Sequence, residues 1–188
     1  MPSPLIRAFT FAVALGGALT TPLAAQGGCL AVALSGVAGP TVFADGFESG
    51  DALRWSEPGL PAFSIAATDD LGIAVDLDGG TTGDHLLELA WYLPGEGLYQ
   101  SVAVPFTAGA APAASQRRVD GYPFPVAVRP AVENRRPQLG SVVTVADRLP
   151  VAGSSIADAA LWGEWRVEAR LDGAAEPCAP AVAFRMEP

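Results

Sequence analysis

One histidine, two cysteines and 20 carboxylates, with no lysine, are what this 188-residue chain offers to catalysis or metal binding. A Ser-His-Asp triad would have to be built on His85, and a His-Glu-x-x-His zinc site cannot be built at all. The nucleophile elbow Gly-x-Ser-x-Gly is absent: in "GFESG" Ser49 falls one position late, and "GSS" from Gly153 lacks the closing glycine. Two widely spaced cysteines make no zinc site, and no glycine-rich loop leads into a helix to cradle phosphate. The residue set therefore predicts no catalytic residue, no bound cofactor and no metal ion. His85 is expected at the surface or at a strand end, and a hydrolase using His85 is the alternative.

Carboxylates alone can do glycosidase chemistry, but only as an opposed acid and base across a cleft. Glu164 and Glu168 share one face of a strand, yet Arg166 lies between them and the signs alternate, which predicts a solvated ladder. Asp45, Glu48 and Asp51 crowd one turn. The stretch "DDLGIAVDLDGGTTGD" supplies Asp69, Asp70, Asp76, Asp78 and Asp84, hard ligands that suit calcium. An EF-hand is excluded, because a loop starting at Asp76 puts Thr81 where glycine belongs and Leu87 where the bidentate glutamate belongs. Aspartate and glycine serve turns for backbone reasons, so calcium is not favoured here.

The elements that would position these groups read as strands. "HLLELAWYL" alternates, with Leu87, Leu89, Trp91 and Leu93 on one face; "PGEG" then turns the chain into "LYQSVAVPF". "LWGEWRVEARLDG" repeats the pattern, with Trp165, Val167, Ala169 and Leu171 inward and a turn at Asp172-Gly173. Further strands are expected in "AFSIAA", "LGIAVDL", "FPVAVRPAV", "GSVVTVADRL" and "APAVAFRM". About seven short strands with proline or glycine every ten residues or so indicate an all-β, antiparallel β-sandwich. Residues 107–123, Ala- and Pro-rich, are expected as a long exposed connection whose Arg117, Arg118 and Tyr122 form a candidate interaction surface. A second irregular link, Leu149 to Ala160, carries a short helical turn near its end.

The compartment follows from the beginning of the chain. Arg7 precedes the apolar run "AFTFAVALGGALT" and then "PLAAQ", the layout of a secretory signal peptide over residues 1–25, with a second cleavage site after Ala44 as the alternative. Its apolar run is short and Gly-interrupted, and no later stretch reaches the ~20 apolar residues of a membrane span. Residues 26–62 read as an N-terminal arm and 63–188 as the sandwich. A formal charge of −9 argues against nucleic acid and anionic membranes as partners. The protein is expected to be secreted or periplasmic, where a Cys29–Cys178 disulfide could persist. Such a bond would close nearly the whole domain and stabilise it by ~5 kcal/mol; the alternative is two unrelated thiols.

Two resemblances add to this reading. "FADGFESGDALRW", Phe43 to Trp55, resembles a segment that follows the signal peptide of many secreted bacterial proteins, and also the first strand of carbohydrate-binding jelly rolls. From His85 to Met186 the chain resembles bacterial immunoglobulin-like domains, with a Trp-Tyr pair before a Pro-Gly turn and a closing Gly-x-Trp-x-Val hairpin, but without their inter-sheet cysteine pair. The resemblance implies an immunoglobulin-like fold and leaves function to partners. The expected role is a non-catalytic exported module that binds or spaces an envelope or extracellular protein or a glycan. A carbohydrate-binding module, using Tyr92, Tyr99 or Tyr122, is the alternative.

Overall fold

The computed structural model describes residues 28–37 and 60–188, so the segment expected as a signal peptide, 1–25, and the Phe43 to Trp55 segment lie outside the described residues. The elements are β1 (Cys29–Val37), β2 (Ala62–Ser64), β3 (Asp70–Asp78), β4 (Gly83–Tyr92), β5 (Leu98–Ala108), β6 (Gln116–Arg117), β7 (Val126–Ala127), β8 (Arg129–Arg136), β9 (Gly140–Pro150), α1 (Ser155–Asp158), β10 (Gly163–Leu171) and β11 (Val182–Glu187). The fold is all-β, as the strand spacing predicts. α1 is a single turn whose N-cap, Ser154, accepts from the Ile156 amide while burying the Ile156 side chain.

Hydrogen bonding gives the order β1-β3-β9-β8-β5-β4-β10-β11-β2, with β6 and β7 forming a separate pair. β1, β3, β9 and β8 make one antiparallel layer, and β5, β4, β10 and β11 make the other. The layers are stitched where β5 meets β8 over Phe106–Arg129 and Thr107–Pro130, in parallel. β2 also runs parallel, along β11. Both departures from a purely antiparallel arrangement arise where the chain crosses from one layer to the other instead of turning back through a hairpin.

Alternation decides which side chains are buried. Leu71, Ile73, Val75 and Leu77 of β3 and Val143 and Val145 of β9 face Leu87, Leu89 and Trp91 of β4 and Trp165, Val167 and Ala169 of β10, in one apolar cluster. The predicted inward faces of β4 and β10 hold; Leu93 and Leu171, at their ends, are half-buried.

One boundary is corrected. Residues 29–37, assigned to the arm, form a full strand, because their apolar run pairs with β3 from Cys29–Leu77 to Val37–Asp70. Cys29 of β1 is bonded to Cys178, in the connection between β10 and β11, so the bond ties the two layers at the two ends of the described chain.

Candidate functional site

His85 is the third residue of β4 and sits where β4, β5 and the turn after β10 converge. That turn places Asp172 at φ 52° and Gly173 at φ 72°, a left-handed pair that aspartate and glycine tolerate. Asp172 Oδ1 accepts from the Leu86 amide at 2.8 Å, and Oδ2 lies 2.8 Å from His85 Nδ1. The other ring nitrogen, Nε2, lies 3.1 Å from the Thr82 carbonyl oxygen, and the ring stacks on Phe106 at 5.4 Å between centroids. His85 stands near the start of its strand, but with its side chain only 22 % exposed it is a clamp between β4 and the β10 turn and not a free surface residue. Both ring nitrogens meet acceptors, and neither meets a hydroxyl. A general base needs a lone pair aimed at the proton it removes.

Beside this clamp an open cleft of about 1140 Å³ runs along the disulfide, with Asp78, Thr81, His85, Asp172 and Glu176 on its walls. Asp78 Oδ1 is already engaged by the Gly80 amide at 2.7 Å.

The segment after β5 is more ordered than an exposed connection. Thr107 and Ala108 still belong to β5, Gln116–Arg117 pair with Val126–Ala127, and Val119 is buried. The Tyr122 hydroxyl accepts from the Ala103 amide at 2.6 Å and donates to the Ser101 carbonyl at 3.2 Å, while the Arg117 guanidinium donates to the His85 carbonyl. Of the three predicted interaction residues, Arg117 and Tyr122 are therefore anchors that clip the segment onto the outer face of β4 and β5. Arg118 alone is exposed, its Nη1 reaching the Pro123 carbonyl at 3.4 Å. At the apex Phe124 is 77 % exposed.

On the same outer face the expected solvated ladder is also corrected. Glu168 is buried beneath Arg166 and Arg170, at 3.2 and 2.7 Å, and accepts from the Tyr92 hydroxyl at 3.3 Å. Arg166 itself lies 4.5 Å over the Tyr92 ring. Glu164 stays exposed, so the two glutamates do not form an acid and base pair.

The aspartates proposed as calcium ligands are dispersed, each in its own setting. Asp70 pairs with Arg148 at 3.4 Å, and Asp84 accepts from the Thr107 hydroxyl at 2.6 Å; the Asp69 carbonyl accepts from the Val151 and Ala152 amides. Asp76 is the buried one: Arg136 Nε lies 2.9 Å from Oδ2, and the Thr144 hydroxyl donates to Oδ1 at 2.5 Å. Asn134 donates in turn to Thr144 at 2.8 Å. The bond to Asp76, then its charge, hold the Arg136 guanidinium protonated above its ordinary range against slight desolvation. A raised folded-state value adds stability that is present below the unfolded value and lost only as pH rises through the folded one. Arg136 is therefore no switch at any pH of practical use. Among the described residues, no three His, Cys, Asp or Glu side chains gather as a metal site. Asp76→Ala should destabilise the fold by about 1–3 kcal/mol by leaving the buried Thr144 hydroxyl without its acceptor, while Arg136 turns to solvent, and Thr144→Val by about 1 kcal/mol, both read by urea unfolding.

The three tyrosines do not share one face: Tyr99 packs against the core, whereas Tyr92 and Tyr122 lie on the outer side of the β4 and β5 layer. Tyr92 lies on the outer face under Arg166, Tyr99 packs edge-on to Trp165 with its hydroxyl 2.8 Å from Ser155 Oγ, and Tyr122 pins the clip. The sequence missed Glu168 and Asp76 as buried carboxylates; the one available signal was arginine two positions to either side of Glu168. Compared with protein-family models, curated proteins and solved structures, the chain matches none.

Proposed function

We propose that this protein is an exported, non-catalytic immunoglobulin-like module that works by contact, in a binding or structural role at the cell envelope or outside it. The observation that carries this reading is the Cys29–Cys178 bond, because such bonds persist in oxidising compartments. Cleavage after Ala25 keeps β1 and its cysteine, whereas cleavage after Ala44 would discard both. The strand order supports the immunoglobulin-like assignment. β1-β3-β9-β8 and β5-β4-β10-β11 correspond to the A-B-E-D sheet and to a C-F-G sheet extended by one strand before C. The disulfide departs from that pattern by joining chain ends instead of the central strands.

The engaged His85 supports a role without catalysis, and the glycan alternative is weakened because Tyr99 packs on Trp165 and the Tyr122 hydroxyl is taken by the backbone of β5. Cell fractionation with N-terminal sequencing and non-reducing peptide mapping is the test. Material starting at Gln26 with a Cys29–Cys178 peptide is expected; a cytoplasmic chain retaining Met1 and free thiols overturns export. Ester, peptide and glycoside substrates should show no turnover, and hydrolysis that vanishes in His85→Gln would instead establish a hydrolase. The same variant should lose about 1 kcal/mol of stability, since Asp172 keeps its bond to the Leu86 amide.

A further inference from the structure

The two ends of the strand order are unlike. One ends on β2, only three residues long; the other ends on β1, a nine-residue strand. Among the described residues nothing pairs with the edge of β1 that faces away from β3, so it presents a row of backbone donors and acceptors. Natural edges are usually blunted by charge, proline, shortness or a β-bulge, and β1 has a bulge only at its start, between Cys29 and Ala31. "CLAVALSGV" has no charge and no proline, and its Leu30 and Val37 are 42 % and 37 % exposed. The disulfide at Cys29 also holds one end of the strand in place, so a partner would meet a largely preformed edge.

We infer that β1 is a self-association edge, on which the β1 strand of a second copy of this chain adds antiparallel about a twofold axis. Three observations select a second copy. First, a chain of formal charge −9 repels its like except where charge is absent or neutralised. β1 carries none, and on the neighbouring β3 two of the three aspartates are paired, Asp76 with Arg136 and Asp70 with Arg148, while Asp78 stands at the end of the strand. Second, a twofold axis perpendicular to the sheet pairs residues that point to the same face, and an axis at Ala33, the middle of the nine-residue strand, pairs Ala31 to Ser35 regularly, short of the bulge between Cys29 and Ala31. Third, that register is sterically matched. Val32 meets Leu34, both packed against the core on the inner side, and Ala31 meets Ser35. Ala33 meets Ala33 at the centre. The product is a continuous sheet β8-β9-β3-β1-β1-β3-β9-β8 with its two long bare edges removed.

Sedimentation velocity on the exported protein over a concentration series, with charge exchange at the axis, tests this. The parent should dimerise. Ala33→Lys and Ala33→Glu each place like charges opposite one another and should weaken dimerisation about fivefold or more. An equimolar mixture of the two should dimerise again, because lysine then faces glutamate. Ala33 is exposed, so both variants should keep the parent's circular dichroism and melting temperature. Ser35→Glu, exposed and facing Ala31 of the second copy, is the second disruption should Ala33 not tolerate charge. A parent monomeric at every concentration overturns the inference, as do charged variants that dimerise like the parent.

Discussion

Trp165→Ala should cost the fold about 3–5 kcal/mol, the largest loss expected from any single core truncation here. Trp165 is 1 % exposed and lies 5.3 Å from the Tyr99 ring and 6.2 Å from Phe184, between centroids. Phe184 in turn contacts Trp91 and Phe63, each at 6.1 Å, so removing the indole opens the middle of an aromatic cluster drawn from five strands. Backbone neighbours on both sides, β4 and β11, limit how far the site can collapse into the space. The indole also has a polar role: Nε1 donates to the Leu161 carbonyl at 2.9 Å, fixing the link between α1 and β10. Trp165→Phe keeps most of the packing but strands that carbonyl, and should cost less, about 1–3 kcal/mol. Urea unfolding of both variants is the check. An alanine variant with the parent's midpoint would mean that the inward face of β10 has been assigned the wrong way round.

That face could be read from sequence because its signal is local. In β4 and β10 the apolar residues recur every second position, and Pro94-Gly95 and Asp172-Gly173 mark where each strand must turn. The site was less legible, because its contacts join residues far apart in the chain. Asp172 meets His85 across 87 positions, and Tyr122 is held by the backbone of β5, so nothing near either residue signals a bond. Glu168 was misjudged for a related reason. Alternating charge on a strand normally marks a wet face, but two arginines and a tyrosine here bend over one carboxylate and exclude water from it. β1 escaped recognition because its apolar run follows soon after the N-terminal apolar run "AFTFAVALGGALT" and lacks polar alternation; only its pairing with β3 makes it a strand.

Removing the Cys29–Cys178 bond should bring the other large loss. The cysteines are 149 positions apart, and closing a loop of that length removes unfolded-chain entropy equivalent to ~5 kcal/mol on the chain-entropy model; native disulfides in small secreted domains typically deliver ~2–5 kcal/mol. The bond's place in the fold adds to this. It fastens β1, whose only strand partner among the described residues is β3, to the opposite layer beside β10. Without it β1 should open before the rest, exposing the apolar residues of β3 that it covers. Cys29→Ser, Cys178→Ser and the double variant each break the same single bond, so their losses should agree to within about 1 kcal/mol instead of adding. Hydrogen exchange adds a spatial readout: amides of β1 and β3 should lose protection in all three variants, while those of β4 and β10 keep protection up to the lowered global stability. Equal stability with and without reductant, alongside unchanged exchange in β1, would show that the bond neither closes the chain nor holds the edge strand.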